Sequence, residues 1–196
     1  MELLLGSQSP RRKEILSFFS LPFTTAKPPF DEEEHPFLGD PSAYVNLLSK
    51  GKAESLRVNF PDSLILTADT TVYCEGKIYN KPTSQEEGFD FLRALSGKWQ
   101  SVFTGLTLGH KETWFHLVEE TRVLFNPLSD AQIRAYQEAI HWPDKAAGYM
   151  IQGSGSLIVN RIEGCYYNVM GMPIQALSRL LLEFGIDLWN YLKSSS

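Results

Sequence analysis

Long apolar runs are missing from this sequence. The first, Leu3-Leu4-Leu5, is stopped at once by Gly6 and followed by serine, proline and arginine, far too short for a signal peptide or a membrane-spanning helix. A soluble, cytoplasmic protein with no membrane partner is therefore expected. Cysteine is equally scarce. Cys74 and Cys165 are too few for a disulfide framework, so two buried free thiols are expected, with a single bridge as the alternative. Basic charge is not in excess: 18 Lys and Arg against 23 Asp and Glu leave a net charge of −5, which argues against a nucleic-acid partner. That balance still permits a small basic pocket, because a small anion feels only the local potential. No Gly-Lys-Ser/Thr follows the glycine-rich stretch, so a Walker loop is excluded, as is the Rossmann glycine fingerprint. No serine stands in a Gly-x-Ser-x-Gly elbow, and the histidines at 35, 110, 116 and 141 show no metal-ligand spacing with the cysteines.

What is present is an ordinary globular composition, 43% hydrophobic and 21% charged, over 196 residues. That length supports one well-buried core, so residues 1–196 are expected to form a single α/β domain. Leu3 to Leu5 reads as a buried strand, and Ser9-Pro10 as the start of a helix with Ile15, Leu16, Phe18 and Phe19 on its apolar side. A polar loop from Lys27 to Pro41 precedes a helix from Tyr44 to Leu56. A second buried strand, from Ser63, is expected to end on Asp69, and Val72 to Tyr79 to form a hairpin around Glu75-Gly76. Ser84 with Glu87 and Ser129 with Gln132 have capping-box spacing, and each opens a helix. Val102 to Leu108 and Phe115 to Phe125 read as two long strands, Leu157 to Val159 as a short one, and Pro173 to Leu182 as the last helix. No repeat or linker interrupts them.

Four segments carry candidate chemistry. In Ser7-Gln8-Ser9-Pro10-Arg11-Arg12 the start of a helix, with its free N–H groups, coincides with two arginines whose forks match phosphate oxygens. Cations in the first helical turn oppose the helix dipole, a local conflict expected where a site binds an anion. Asp69, after an apolar strand, is placed to hold a divalent cation or to orient and deprotonate a water. The acidic run Asp31 to Glu34 offers oxygen ligands of the kind Mg²⁺ takes, and Lys52 and Lys81 are candidates to neutralise phosphate charge. In Gly148 to Gly155 the amide of Gln152 has both donor and acceptor, as the edge of uracil or thymine does. Each segment has a plain alternative: a solvated basic helix start, a carboxylate at a turn, a solvated acidic loop, a glycine-rich turn.

Taken in order, Ser7 to Arg12, Asp31-Glu32, Lys52-Ala53, Ala68-Asp69-Thr70, Lys81-Pro82, Leu95 to Lys98, Thr104-Gly105, Ala147 to Gly153 and Asn168 to Pro173 resemble the Maf family over nearly the whole chain. The resemblance implies a fold similar to inosine triphosphate pyrophosphatases, an elongated mixed sheet with two lobes flanking a nucleotide cleft. It implies hydrolysis of a nucleoside triphosphate to the monophosphate and pyrophosphate, assisted by a divalent metal (Mg or Mn), in a homodimer, with a link to septum formation. Mapped onto this chain, Asp69 is catalytic and shares the metal with Glu32. Ser7, Ser9, Arg11, Arg12, Lys52, Thr70, Lys81 and Gln152 bind substrate. Arg11, Thr70 and Gln152 follow the branch that resembles the dTTP/UTP enzymes rather than the branch acting on 7-methyl-GTP. The alternatives are a house-cleaning enzyme for inosine or xanthosine triphosphate, and a nucleotide-sensing regulator without turnover. Trp99 and Met172 depart from the family's usual His and Leu without touching this chemistry.

Overall fold

Seven strands join into one mixed sheet that runs through the chain from Leu3 to Glu163. A computed structural model describes residues 2–140, 142, 143 and 145–193, so His141 lies outside the described residues. The strands are β1 (Leu3–Gly6), β2 (Phe23–Ala26), β3 (Leu64–Cys74), β4 (Lys77–Tyr79), β5 (Trp99–His110), β6 (Thr113–Phe125) and β7 (Val159–Glu163). The helices are α1 (Pro10–Leu16), α2 (Pro41–Arg57), α3 (Gln85–Leu95), α4 (Asp130–Ala139), α5 (Tyr166–Val169) and α6 (Ile174–Leu182). The sheet order is β2-β1-β3-β5-β6-β7, with β1 parallel to both of its neighbours and the remaining pairs antiparallel.

One edge of β3 has two successive partners. β1 pairs with Leu64 to Thr67, and β4 pairs with Val72 to Cys74. Ala68 to Thr71, between them, have no strand on that side, whereas β5 backs Ile65 to Tyr73 on the other. β3 therefore continues five residues beyond Asp69, which lies inside the strand and not at its end. The run of β-branched residues after it, Thr70, Thr71 and Val72, favours the extended chain.

Period-two alternation sorts β3 between two layers. Leu64, Leu66, Ala68 and Val72 enter the main core with residues of α1, α3, α4 and α6, while Ile65 joins Leu4, Ala53 and Leu56 beneath α2. Polar contacts also hold α2 to the sheet: the Thr67 hydroxyl donates to the Ser49 carbonyl at 2.6 Å, and the Ser49 and Thr107 hydroxyls meet at 3.0 Å. Gly105 of β5 permits the close approach, since a Cβ there would lie 2.5 Å from the carbonyl oxygen of Val45.

The helix starts follow their caps. The Asp40 carboxylate accepts from the N–H groups of Ser42 and Ala43, so α2 begins at Pro41, earlier than its apolar stripe indicates. Ser129 and Gln132 form both halves of a capping box. The Ser84 pair forms only one half, because Glu87 turns its carboxylate to the N–H and hydroxyl of Thr83 instead. Several expectations are corrected. β2 was not anticipated, the last strand starts at Val159 after a 3₁₀ turn over Gly153–Ile158, and α1 ends at Leu16, leaving Phe18 exposed. Both cysteines are free; Cys74 is buried but Cys165 only half-buried. Among the described residues no helix is long and apolar enough to cross a membrane.

Candidate active site

β1 ends at Gly6 and delivers the chain into a tight turn, where the N–H of Ser9 donates to Oγ of Ser7 at 3.1 Å. Ser9 has the extended conformation of a helix cap, yet its hydroxyl makes no capping bond. One turn into α1, the side chain of Arg12 folds back under this corner. Its Nε donates to the Gly171 carbonyl at 2.9 Å, Nη1 to the Ala68 carbonyl at 2.8 Å, and Nη2 to Oγ1 of Thr70 at 3.0 Å. The carbonyl of Ala68 is available because no strand covers that edge of β3. The guanidinium thus fastens α1, β3 and the Met170-Gly171-Met172 segment together. Burial lowers its pKa, while Asp69 and Glu32 pull it back up. Most of its donors serve protein acceptors, which goes beyond the phosphate-gripping role its sequence position suggests.

Beyond Arg12 the bond directions are fixed by proton counting. Thr104 donates to the Asn168 carbonyl at 3.2 Å, so its oxygen accepts from Thr70, 2.9 Å away, while Thr70 accepts from Arg12. The Thr70 proton is therefore committed within the protein. Asn168, fully buried, ends the relay by donating from Nδ2 toward Val102, Glu119 and Thr121.

On the other face of β3 stands Asp69, 6% exposed. Lys52 of α2 reaches it, with Nζ 2.5 Å from Oδ1 of Asp69 and 2.7 Å from Oε1 of Glu32. Tyr44, Leu48 and Lys52, four residues apart along α2, all turn toward the same cleft. Glu32 comes from the loop between β2 and α2. Burial pushes its carboxyl up, but the charge and hydrogen bond of Lys52, with Lys81 and Arg12 further off, outweigh that and hold it below the ordinary carboxylate value. The two carboxylates converge on one cation position, here taken by the ammonium of Lys52. Among the described residues no group of three or more His, Cys, Asp or Glu could hold a metal ion.

The β3–β4 hairpin brings Asn80 and Lys81 to the same place, with the Thr71 hydroxyl donating to Oδ1 of Asn80 at 3.0 Å. The far wall is the segment from Lys145 to Gln152. Tyr136 of α4 clamps it, its hydroxyl donating to the Met150 carbonyl at 2.9 Å and accepting the Met150 N–H at 3.0 Å. Burial raises that phenol to about 12, so it keeps its proton at neutral pH.

The cleft so enclosed has a volume of about 800 Å³, and all ten residues singled out in the sequence line it: Ser7, Ser9, Arg11, Arg12, Glu32, Lys52, Asp69, Thr70, Lys81 and Gln152. Six cationic side chains face four carboxylates there, so the cleft favours anions although the chain as a whole is acidic. Lys27, Tyr44 and Lys145 also line it and were missed. Tyr44 was readable from its spacing to Lys52; Lys145, a lone lysine between proline and glycine turns, gave no signal.

A cationic cleft beside a buried carboxylate, set on a mixed α/β sheet, suits an anionic ligand, and solved structures share the fold. The structure of the Staphylococcus aureus Ham1 protein matches with a TM-score of 0.54 at 13% identity, covering 95% of this chain and all of that one. The chain belongs to the Maf-like protein family, whose model matches residues 2–184. It is 46% identical over 192 residues to the dTTP/UTP pyrophosphatase of Chlamydia caviae, covering 97% of this chain and 98% of that protein. It is 42% identical over 192 residues to the nucleoside triphosphate pyrophosphatase of Chlamydia muridarum, with the same coverage. The dTTP/UTP pyrophosphatase of Carboxydothermus hydrogenoformans is 40% identical over 189 residues, 94% of this chain and all of that protein.

Proposed function

We propose that this protein hydrolyses dTTP and UTP to the nucleoside monophosphate and pyrophosphate. The observation that carries the reading is the buried Asp69 carboxylate, held by Lys52, which also binds Glu32, in a cleft rich in cations, in a chain aligned end to end with relatives bearing that name. A water beside Asp69 attacks the α-phosphorus, the bond from that phosphorus to the bridging oxygen breaks, and pyrophosphate leaves with the bond's electron pair. Asp69 takes the proton the water loses. Arg11, Lys52 and Lys81 neutralise the charge spread over the phosphoryl oxygens, Arg12 adds its field while bracing the corner, and Ser7 and Ser9 offer hydroxyls. Gln152, with Arg11, selects a pyrimidine, its amide pairing with a base edge that has both a donor and an acceptor. Thr70, its proton committed to Thr104, contributes through its bond to Arg12.

Glu32 and Asp69 fit a divalent cation, because both already direct oxygens at one cation position and Mg²⁺ or Mn²⁺ is usually held by one or two carboxylates together with substrate phosphates. When bound, such an ion would supply further neutralisation of the phosphate charge. The proposal extends to a cytoplasmic homodimer and to a link with septum formation. The test is pyrophosphate release from a nucleotide panel with Mg²⁺ or Mn²⁺, read as phosphate only after inorganic pyrophosphatase is added. dTTP and UTP are expected to be the best substrates; a strong preference for inosine triphosphate refutes the base assignment, and no release from any nucleotide refutes the activity. Asp69→Asn is expected to abolish turnover yet bind UTP with a near-parental Kd. Unchanged turnover would remove Asp69 from the reaction.

A further inference from the structure

Gly51 lies inside α2, beside Lys52, where glycine is a poor helix residue. Its φ is not among the positive values of the chain, so its backbone does not require glycine. What it provides is room. A Cβ on Gly51 would lie 2.2, 2.5 and 3.0 Å from three ring carbons of Phe30, and these are its three nearest heavy atoms. The Phe30 ring in turn stacks on His35, with centroids 4.9 Å apart and planes within 9°. Residues 30 and 35 bracket the turn that carries Glu32, which is closed by the His35 N–H on the Glu32 carbonyl at 3.2 Å and the Glu33 N–H on Asp31 at 2.9 Å.

We infer that Gly51 and Phe30 are positioning residues for Glu32: the ring seated on the bare helix backbone sets where the acidic turn stands, and so brings Glu32 to Lys52. The inference rests on the reading of the cleft as a nucleotide pyrophosphatase site. A local rule is broken at Gly51 with no conformational reason, and the compensating gain is the seat for Phe30. Without it the turn itself would reach Lys52 only through the Glu32 carboxylate, on a side chain 46% exposed, with Phe37 on Tyr44 anchoring the loop further along. An exposed ion pair alone orders a loop weakly.

The experiment is UTP hydrolysis by the full chain, with the melting temperature of each variant measured alongside. Gly51→Ala is expected to melt close to the parent, because the better helix propensity of alanine offsets the ring packing it displaces. Its kcat/KM is expected to fall by about a hundredfold, the scale of an ångström's misplacement at a reacting site. Phe30→Ala, which removes the ring instead of its seat, is expected to lose a similar amount. In a Glu32→Gln background Gly51→Ala is expected to cost nothing more, since the group it positions is already disabled. Parental kcat/KM in Gly51→Ala, or losses that multiply in the double variant, overturns the inference. A parent protein that releases no pyrophosphate from any nucleoside triphosphate instead overturns the reading beneath it.

Discussion

Replacing Gly105 by alanine tests how closely α2 must lie on the sheet. The added Cβ would stand 2.5 Å from the carbonyl oxygen of Val45, 2.7 Å from its carbon and 3.0 Å from the Asn46 nitrogen. All three are backbone atoms, so no side chain can swing aside. Ordinary contact needs about 3.5 Å, and the helix must retreat by about 1 Å. Overpacking of this kind costs about 1–3 kcal/mol. Alanine returns about 0.4–1 kcal/mol by restricting the unfolded chain, as the native backbone accepts it. The middle of each range, about 2 less about 0.7, gives an expected net loss of about 1.3 kcal/mol, a fall in Tm of about 3–5 °C for a chain of this size. Lys52 lies seven residues beyond Val45 on the same helix, and Gly105 pairs directly with Asp69, so the displacement reaches the 2.5 Å contact between them. A drop in kcat/KM of about tenfold or more should accompany the loss of stability. Urea unfolding and UTP turnover measure the two effects. A variant within about 0.5 kcal/mol of the parent and fully active would show that α2 has room to spare, and would refute the argument.

Two further outcomes follow from contacts already described. Tyr136→Phe keeps the ring but removes both bonds to Met150; discrimination between UTP and inosine triphosphate is expected to narrow, while inhibition by inorganic tripolyphosphate, which lacks a base, stays at the parental level. Because the folded-state pKa of Glu32 is depressed, its pairing contributes stability above the unfolded pKa, and this contribution fades as pH falls through the folded value. Tm measured from pH 6 to pH 3 is thus expected to fall less steeply in Glu32→Gln than in the parent, and parallel curves would contradict it.

Much of the fold was legible where local chemistry decides it. The Ser129 capping box, the proline-led start of α1 and the β3–β4 hairpin need only neighbours in sequence. β2 escaped notice because Phe23 to Ala26 is short and neither alternating nor wholly apolar, and its pairing with β1 is a tertiary matter. The candidate site was legible as residue types, and the fold gathers those residues in one cleft. Their partners were not. No spacing announces that Arg12 donates to carbonyls 56 and 159 residues away, or that the Thr70 proton belongs to Thr104. Lys52 was legible as a cation, but the position it takes between two carboxylates needs α2, β3 and the acidic loop together.

The exchange of partners along β3 gives Asp69 a combination that neither a loop nor an ordinary central strand provides. A loop residue would be reachable but free to wander; one flanked by strands on both sides would be stiff but walled in. Here β5 pins the strand along nine consecutive pairs, while β1 stops at Thr67 and β4 begins only at Val72. The four residues between form a window in the sheet, its frame as rigid as the wall around it. Arg12 occupies one side of the opening, and the Asp69 carboxylate stands at its sill.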